Sequence, residues 1–304
     1  MIEIIKNTKI DFMSKRFIAL GVSSLLTILG LIAVIQVARG TANLGIDFAG
    51  GTSVQIKFNS RTNLHDVRKA LEDGGIKDAD LQDLPTENKV LIRIKKSEGN
   101  LGDLSGKIIT ILSQKFSHSN VVVDSTTEIG PKVGGKLRRD ALVALLAATL
   151  GILAYVAFRF QFRFGIGATI ATFHDVMAVL GIFYIMGREI NLLLVTALLT
   201  IAGYSLTDTV VVFDRIRENL RARPKKSAPE VVNESVNEVL SRTIVTSLTV
   251  LLTSIALFLF GGEVIHDFSL AMILGVIVGT YSSIFVASPV VLMLGKDKTL
   301  SRKK

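Results

Sequence analysis

The sequence predicts a polytopic α-helical membrane protein with six transmembrane helices and one small α/β, ferredoxin-like extracytoplasmic domain. Its 304 residues are 49% hydrophobic and 20% charged, and the mean hydropathy is +0.49, which is too apolar for an ordinary soluble domain. Stretches of transmembrane length recur along the chain, and one long polar region interrupts them after the first. That region is long enough to form one small folded domain.

Six stretches are apolar enough and long enough to cross about 30 Å of hydrocarbon. They lie near residues 17–38, 140–158, 165–186, 191–213, 243–260 and 267–293. The first follows Lys15 and Arg16, as a signal peptide would, but it is too long and a poor cleavage site follows it. We therefore expect the first span to stay attached to the protein.

Positive residues cluster in alternate connections between the spans and do not form one continuous face. The clusters contain Lys6, Lys9, Lys15, Arg16, Arg159, Arg163, the segment 215–226, Lys296, Lys298, Arg302, Lys303 and Lys304. By the positive-inside rule these segments are cytoplasmic, which places both termini inside. The net charge of +9 then reflects topology, and no nucleic-acid partner is expected.

The spans and the polar region divide the chain into five predicted parts. These are a cytoplasmic N-terminus (1–16), the first transmembrane helix (17–38), an extracytoplasmic domain with flanking linkers (39–138), a five-helix transmembrane region (139–293) and a basic cytoplasmic tail (294–304).

The hydrophobic period in the outer domain changes between two and 3.6, which is typical of alternating strands and helices. Strands are predicted at 52–58, 79–84, 90–94 and 120–128, and helices at 63–75 and 101–116. The order β-α-β-β-α-β is that of a ferredoxin-like fold. His65 and His118 have no metal-ligand neighbours in the sequence, so each is expected to be exposed or locally bonded.

No cofactor and no catalytic chemistry are expected. The chain has no cysteine, which leaves no basis for a disulfide, zinc or iron–sulfur site. Residues 130–137 (GPKVGGKL) approach the phosphate-binding loop pattern, but Leu137 stands where that loop needs Ser or Thr for magnesium. We interpret this segment as a flexible hinge.

Three ionisable residues within the spans are candidates for proton coupling, because a charge at the bilayer centre costs about 2.5 to 3.5 kcal/mol on insertion scales. Asp208 shares one face of the fourth span with Tyr204 and Ser205, which predicts a partly polar stripe packed against another helix. Burial would raise the pKa of such a carboxylate, and a nearby cation such as Arg242 would lower it. The two opposing effects would let the carboxylate exchange protons. A static ion pair between them stays open as the alternative.

The other two candidates are less distinctive. Arg242 opens the fifth span, where a basic residue also fits simple snorkelling into headgroups. Asp175 lies near the middle of the third span, where it suits a proton relay or polar contact between helices. His174 precedes it and faces about 100° away, so the two are not expected to act as one bonded unit without the help of other helices.

Small residues recur every four positions along the last span and predict close helix packing. They are Ala271, Gly275, Gly279, Ser283 and Ala287. The spacing does not say whether the partner helix belongs to this chain or to another subunit. Pro289, near the end of the span, permits a kink.

Two motifs resemble the SecF family of the SecDF protein-export machinery: NLGIDFAGGT at 43–52 and GYSLTDTVVVFDRIREN at 203–219. FHD, GREINL and SRTIVTS follow in the expected order, and the resemblance covers essentially the whole chain. It implies proton-coupling roles for Asp208 and Arg242. Many members read SIND where this chain reads SLTD, so Thr207 replaces Asn beside the carboxylate and changes the hydrogen-bonding groups there.

The resemblance implies that the chain pairs with SecD, a second six-span subunit, in a unit related to the resistance-nodulation-division exporters. It implies work with the SecYEG channel, and often YajC, on translocating preproteins. The implied energy source is the proton-motive force, and the implied location is the bacterial inner membrane.

Two other functions stay open at this point. Half of a proton-coupled small-molecule or lipid exporter of the same superfamily would need the same carboxylate, although such exporters usually carry both halves in one chain. A non-transporting scaffold subunit would use Asp208 and Arg242 as a structural pair.

Overall fold

The computed structural model describes residues 8–77, 79–84, 88–95, 104–117, 121–159 and 162–295. The chain forms two compact units, one from Met1–Asn43 with Val143–Lys304 and one from Leu44–Leu142. Each unit is described by itself.

The described residues form ten α-helices, four strands and three short turns. The helices are α1 (Arg16–Arg39), α2 (Ile46–Ala49), α3 (Leu64–Asp73), α4 (Leu104–Lys115), α5 (Pro131–Arg159), α6 (Phe162–Ile185), α7 (Leu192–Ala222), α8 (Ala228–Phe260), α9 (His266–Ser282) and α10 (Ser288–Leu294). The strands are β1 (Gly51–Lys57), β2 (Ala79–Leu84), β3 (Lys89–Lys95) and β4 (Val122–Ile129). 3₁₀ turns occupy Met13–Lys15 and Glu263–Ile265, and a π-helical turn at Ser283–Ala287 joins α9 to α10.

The predicted six spans are confirmed within the described part of the chain. The segments Met13–Arg39, Pro131–Arg159, Phe162–Ile185, Leu192–Ala222, Ala228–Phe260 and His266–Leu294 are long and apolar enough to cross a membrane. The most apolar part of α6 is 67% buried and that of α9–α10 is 61% buried, against 11% for α5 and 17% for α8. The third and sixth spans are therefore the most buried, and the fourth follows at 50%.

The fifth span is part of a longer helix than its hydropathy predicts, because α8 begins at Ala228 and not near residue 243. The backbone N–H of Ser227 donates to Glu230 Oε2 at 3.2 Å, which caps the helix start. The added turns are amphipathic: Val232 and Val236 are 1% exposed and belong to the hydrophobic core, while Glu230 is exposed. A hydropathy scan finds only the apolar half of such a helix.

Helix α1 packs on α6 where two glycines meet. A Cβ on Gly30 would lie 2.2 Å from the carbonyl oxygen of Met177, and a Cβ on Gly181 would lie 2.7 Å from the Gly30 nitrogen. Because neither glycine has a side chain, the two backbones come into direct contact, which is the usual basis of tight helix packing in membranes.

The segment before α1 binds to the first half of α8 through two asparagines. Asn237 Oδ1 accepts a hydrogen bond from the backbone N–H of Ile10 at 3.0 Å, and its Nδ2 donates to the Ile10 carbonyl at 2.8 Å. One turn earlier, Asn233 Oδ1 accepts from the N–H of Phe12 at 2.8 Å. The Phe12 ring is 7% exposed and packs edge-on against Phe285. The two asparagine side chains thus bond backbone N–H and C=O groups of this segment, as the backbone of a neighbouring β-strand would.

The second unit has the predicted ferredoxin-like architecture. Its sheet has the order β2-β3-β1-β4 with antiparallel neighbours throughout, and α3 and α4 are the two connecting helices. Inward residues of β1 and β3, such as Ile56 and Ile92, pack against Leu71 and Ile108 of the helices, and all four are fully buried. The alternating strand pattern therefore produces this core.

The cap of α3 and the two histidines were also predicted for this unit. The predicted Asn cap of α3 is confirmed, because Asn63 Oδ1 accepts a hydrogen bond from the N–H of His65 at 3.0 Å. The side chain of His65 itself is 79% exposed. His118 lies outside the described residues.

The predicted hinge at residues 130–137 is wrong, because α5 begins at Pro131 and this segment is helical. Proline at the first helical position is pre-organised for a helix and lacks only an N–H that would have no partner there. Gly134 also has a packing role: a Cβ there would lie 3.0 Å from the Gly50 nitrogen and the Phe48 oxygen. The glycine that suggested flexibility therefore permits a close backbone contact.

Candidate functional site

Asp208 lies in the middle turns of α7 as a buried, half-satisfied carboxylate. It is 7% exposed, and its Oδ1 accepts a hydrogen bond from Thr243 Oγ1 of α8 at 3.0 Å. Its Oδ2 is also buried and has no hydrogen-bond partner within the described residues. A buried acceptor without a partner costs about 1 to 3 kcal/mol, so this oxygen distinguishes Asp208 from a carboxylate whose two oxygens are both bonded.

Arg242 does not contact Asp208 directly. Its side chain is on the exposed side of α8, and across the described ranges no hydrogen bond or ion pair joins its guanidinium to the carboxylate. Its charge still attracts the Asp208 carboxylate through space. Thr243, the next residue, makes the contact instead. The static ion pair that the sequence left open is therefore not formed here.

The three residues predicted to support Asp208 separate into different environments. Tyr204 donates to Ser247 Oγ of α8 at 3.0 Å, and Ser247 in turn lies 2.7 Å from Thr280 Oγ1 of α9. Thr207 is exposed, and its hydroxyl donates to the Gly203 carbonyl of its own helix at 3.1 Å. The structure therefore does not bring either hydroxyl to the carboxylate.

Ser205 belongs to a second polar centre, which surrounds Asp175 of α6. The Asp175 side chain is 0% exposed, and its Oδ2 accepts hydrogen bonds from Ser205 Oγ of α7 at 2.5 Å and Ser282 Oγ of α9 at 2.9 Å. Its Oδ1 lies 2.9 Å from Nδ1 of His174. One buried carboxylate thus joins three helices.

His174 and Asp175 form a bonded unit, and they do so where α7 and α9 also contact Asp175, as the requirement for other helices predicts. Consecutive helical residues point about 100° apart at Cβ, but that angle does not fix the ends of two long polar side chains. Here the imidazole and the carboxylate turn toward each other and meet. The 100° separation describes only the directions of the two Cα–Cβ bonds.

The small residues of α9 contact α7 of the same chain. A Cβ on Gly275 would lie 2.3 Å from Ile201, and a Cβ on Gly279 would lie 3.1 Å from Ser205 Cβ. Ala271 and Ser283 are fully buried on the same face, and Ser283 Oγ lies 2.9 Å from Thr209 Oγ1 of α7. The partner that the sequence left open is therefore an internal helix.

The small-residue stripe ends at the π-helical turn. Its last two members, Ser283 and Ala287, are fully buried and bound the segment in which the helix widens to a five-residue hydrogen-bond pattern. Ser288 Oγ donates to the Ser283 carbonyl at 2.9 Å, and Pro289 stands in the first turn of α10. Since proline donates no N–H, a turn of this kind before it accommodates the missing hydrogen bond.

A charged cluster joins the C-terminal turns of α7 to the first turns of α8. Arg215 Nε donates to Glu238 Oε2 at 2.5 Å, and Asn219 Nδ2 donates to the same oxygen at 2.6 Å. Arg223 bonds both Glu238 and Glu234, and these hydrogen bonds raise the pKa of Arg223 above its ordinary value. The cluster is partly exposed, so we assign it to holding the helical connection together.

Thr243, Ser247 and Ser282 are the contact residues that the sequence interpretation did not single out. Thr243 follows Arg242 directly in the motif SRTIVTS, and Ser247 ends that motif. The two residues lie one turn apart on the face of α8 that meets α7. Ser282 lies beside the small-residue stripe but outside its spacing. The four-residue spacing of Thr243 and Ser247 within one span is the sequence signal that could have identified these two hydroxyls.

Comparison with known proteins identifies two matching family models. The model described as protein export membrane protein SecD/SecF, C-terminal, matches residues 108–297, and the SecD/SecF GG motif matches residues 42–60. Protein translocase subunit SecF of Thermodesulfovibrio yellowstonii is 59% identical over 304 residues, covering 99% of this chain and 100% of the relative. The same subunit of Calditerrivibrio nitroreducens is 41% identical over 297 residues, covering 96% and 97%.

Solved structures of SecDF share the fold. The crystal structure of SecDF, a translocon-associated membrane protein from Thermus thermophilus, superposes with a TM-score of 0.80 at 35% identity. A structure of SecDF in a super-membrane-facing form gives 0.69 at 36% identity. Each match covers 95% of this chain and 39% of the solved chain, so this chain spans well under half of those proteins.

Proposed function

The chain belongs to the SecF family of protein translocase subunits, and from this premise we propose that it is half of a proton-driven motor that assists protein export. The other half is SecD. Together the two subunits use the proton-motive force to promote preprotein movement through SecYEG and release from it. YajC is a further proposed partner of the complex.

The observation that carries the proposal is the environment of Asp208. One carboxylate oxygen is held by Thr243 of α8, the other is buried without a partner, and Arg242 supplies a positive charge nearby without a direct contact. Burial favours the neutral acid of such a group, and the nearby cation favours its carboxylate. Asp208 is suited to taking up and releasing one proton in each cycle.

Protonation of Asp208 then changes the force between α7 and α8. The neutral acid loses its attraction to Arg242, so the two helices repack and the outer domain of the complex moves. A gradient of 100 mV supplies about 2.3 kcal/mol for each charge, which biases a two-state element by more than tenfold. The proton gradient is thereby converted into motion.

An exposed polar face on α7 and α8 supports pairing with SecD. One face of α8 contains Arg242, Thr246, Thr249 and Thr253. One face of α7 contains Thr196, Thr200 and Thr207. The threonine hydroxyls bond carbonyls of their own helices, which leaves a smooth face of small side chains suited to close helix contact. The guanidinium of Arg242 favours a polar partner over lipid on this face.

The charge bias of the connections supports an inner-membrane location with both termini in the cytoplasm. In this orientation the second unit is extracytoplasmic, and Asp208 lies on the cytoplasmic side of the middle of its span. We assign the proton gradient as the energy source and no bound cofactor.

Export of a secreted reporter tests the motor. Cells whose only SecF subunit is this chain, or its Asp208→Asn variant, are assayed with and without a proton gradient. Asp214→Asn is the matched control, because Asp214 is exposed on the same helix. We expect Asp208→Asn to copurify with SecD but to lose the stimulation by the gradient, and the control to retain it. Unchanged export by Asp208→Asn would exclude the motor and favour a scaffold subunit.

A further inference from the structure

His174 and Asp175 form a buried titratable pair that the Asp208 motor does not use. The side chains are 4% and 0% exposed, and the imidazole Nδ1 lies 2.9 Å from Asp175 Oδ1. The pair lies on α6, the most buried of the spans, whereas Asp208 lies on α7. The pair is therefore a buried polar centre separate from Asp208.

The carboxylate of this pair is held in place from three sides. Ser205 and Ser282 donate to Asp175 Oδ2, and the imidazole occupies the other oxygen. A carboxylate with several donors is stabilised as an anion. In a membrane interior a lone anion is costly, and a protonated imidazole beside it makes the pair neutral.

The far nitrogen of the imidazole is the unusual atom. With Nδ1 directed at Asp175, Nε2 of His174 is buried and has no hydrogen-bond partner among the residues that the structure describes. A buried polar atom of this kind costs about 1 to 3 kcal/mol if it stays unpaired. A purely structural histidine would gain by bonding both nitrogens.

The surroundings contain few other titratable groups. From α9, Tyr281 faces the imidazole with 6.3 Å between ring centroids, and its hydroxyl donates to the Ala19 carbonyl of α1 at 2.7 Å. From α7, Ser205 contacts Asp175, and Asp208 lies on the same side of that helix one turn further along. Within the described ranges, no lysine or arginine forms an ion pair with His174 or Asp175.

We propose that His174 and Asp175 are a second proton-binding site of this chain, in which Nε2 of His174 takes up and releases the proton. Asp175 stays ionised and bonded to Ser205 and Ser282, so uptake changes the pair from one negative charge to none. The site lies where α6, α7 and α9 meet, and its charge thereby affects the packing of α9 on α7. The inference rests on the proposed proton-driven function, because it adds a step to that proton path.

Nitrogen NMR of histidine tests the site without relying on transport. The chain has four histidines, so ¹⁵N-histidine labelling of the full-length protein in lipid bilayers, with unlabelled SecD added, gives few signals, and His174→Gln assigns the relevant one. We expect the His174 signals to show both the neutral and the charged imidazole as the pH of the sample is changed. Asp175→Asn should lower the charged fraction at a fixed pH, because it removes the adjacent negative charge.

Export under a proton gradient is the second measurement. We expect His174→Gln to reduce the gradient-stimulated part of export to the level without a gradient, while His65→Gln, an exposed control in the second unit, leaves it unchanged. The proposal is overturned if His174 keeps one protonation state throughout, or if Asp175→Asn does not change its charged fraction. A failure of the Asp208 motor would appear separately, as gradient-stimulated export that survives Asp208→Asn.

Discussion

At the scale of single residues, hydroxyl groups decide how the buried carboxylates of this chain are held. Asp208 depends on Thr243, and Asp175 depends on Ser205 and Ser282. Neither carboxylate has an arginine or lysine in direct contact within the described part of the chain. A hydroxyl stabilises an anion less than a full positive charge does, which agrees with the proton-binding role proposed for Asp208, whose carboxylate has a single hydroxyl donor.

Replacing Thr243 with valine tests the role of its hydroxyl. Thr243→Val conserves the shape but removes the donor to Asp208 Oδ1, which leaves both carboxylate oxygens without a hydrogen bond. We expect the unfolding free energy to fall by about 1 to 3 kcal/mol and gradient-stimulated export to change. Thr110→Val is the control, because that side chain is exposed on α4 and its hydroxyl donates to the Gly106 carbonyl of its own helix. Equal behaviour of the two variants in thermal unfolding and export would contradict the assignment.

At the scale of elements, close contacts of glycines set the positions of the buried helices. Gly30 and Gly181 bring α1 to α6, and Gly275 and Gly279 bring α9 to α7. The second contact also places Ser205 and Ser282 around Asp175, so helix packing and the polar centre depend on the same surfaces.

Gly275→Ala tests this packing. The added Cβ would lie 2.3 Å from the fully buried Ile201, so we expect a loss of about 1 to 3 kcal/mol of stability, measured by denaturant unfolding of the chain alone. Gly203→Ala is the matched control on α7, where a Cβ has nothing within 4 Å. That control should be neutral or gain up to about 1 kcal/mol from helix propensity. The packing role is rejected if both variants show equal stability.

The segment before α1 provides a second test at this scale. Replacing Asn233 and Asn237 together with alanine removes four hydrogen bonds to the backbone of Ile10 and Phe12. We expect limited proteolysis to cleave residues 8–13 faster in this variant, because the segment then keeps the packing of Phe12 and Met13 and the hydrogen bond from Thr8 to the carbonyl of residue 237 but loses its bonds to the two amide side chains. Thr249→Ala, on the exposed face of the same helix, should leave the cleavage rate unchanged; equal rates in all three proteins would show that the asparagines do not hold the segment.

At the scale of the whole molecule, the absence of cysteine makes the topology directly testable. We expect Arg61→Cys in the second unit to react with a membrane-impermeant thiol reagent in intact cells, after the outer membrane is made permeable. Lys225→Cys, in the connection between α7 and α8, should react only once the inner membrane is opened. Both native side chains are exposed, so accessibility of the thiol depends on its side of the membrane. The reverse labelling pattern would contradict the orientation assigned from the positive-inside rule.

Features that depend on residues close together in the chain could be predicted from the amino-acid sequence. Six spans follow from local hydropathy, the strands of the second unit from their alternation, and the start of α3 from the Asn63 cap. The ionisable residues Asp175, Asp208 and Arg242 are identifiable in the same way, since their cost within a span is local. The hinge assigned to residues 130–137 was wrong because Gly134 packs against a distant backbone.

Only the tertiary structure decided which of these groups meet. Spacing places Tyr204, Ser205 and Asp208 on one side of α7, but their partners are Ser247, Asp175 and Thr243 on other helices. Those pairings depend on how each helix is rotated about its axis relative to its neighbours. The rotation is set by side chains that interlock across the interfaces, such as Ile201 against Gly275, and these residues lie far apart in the sequence.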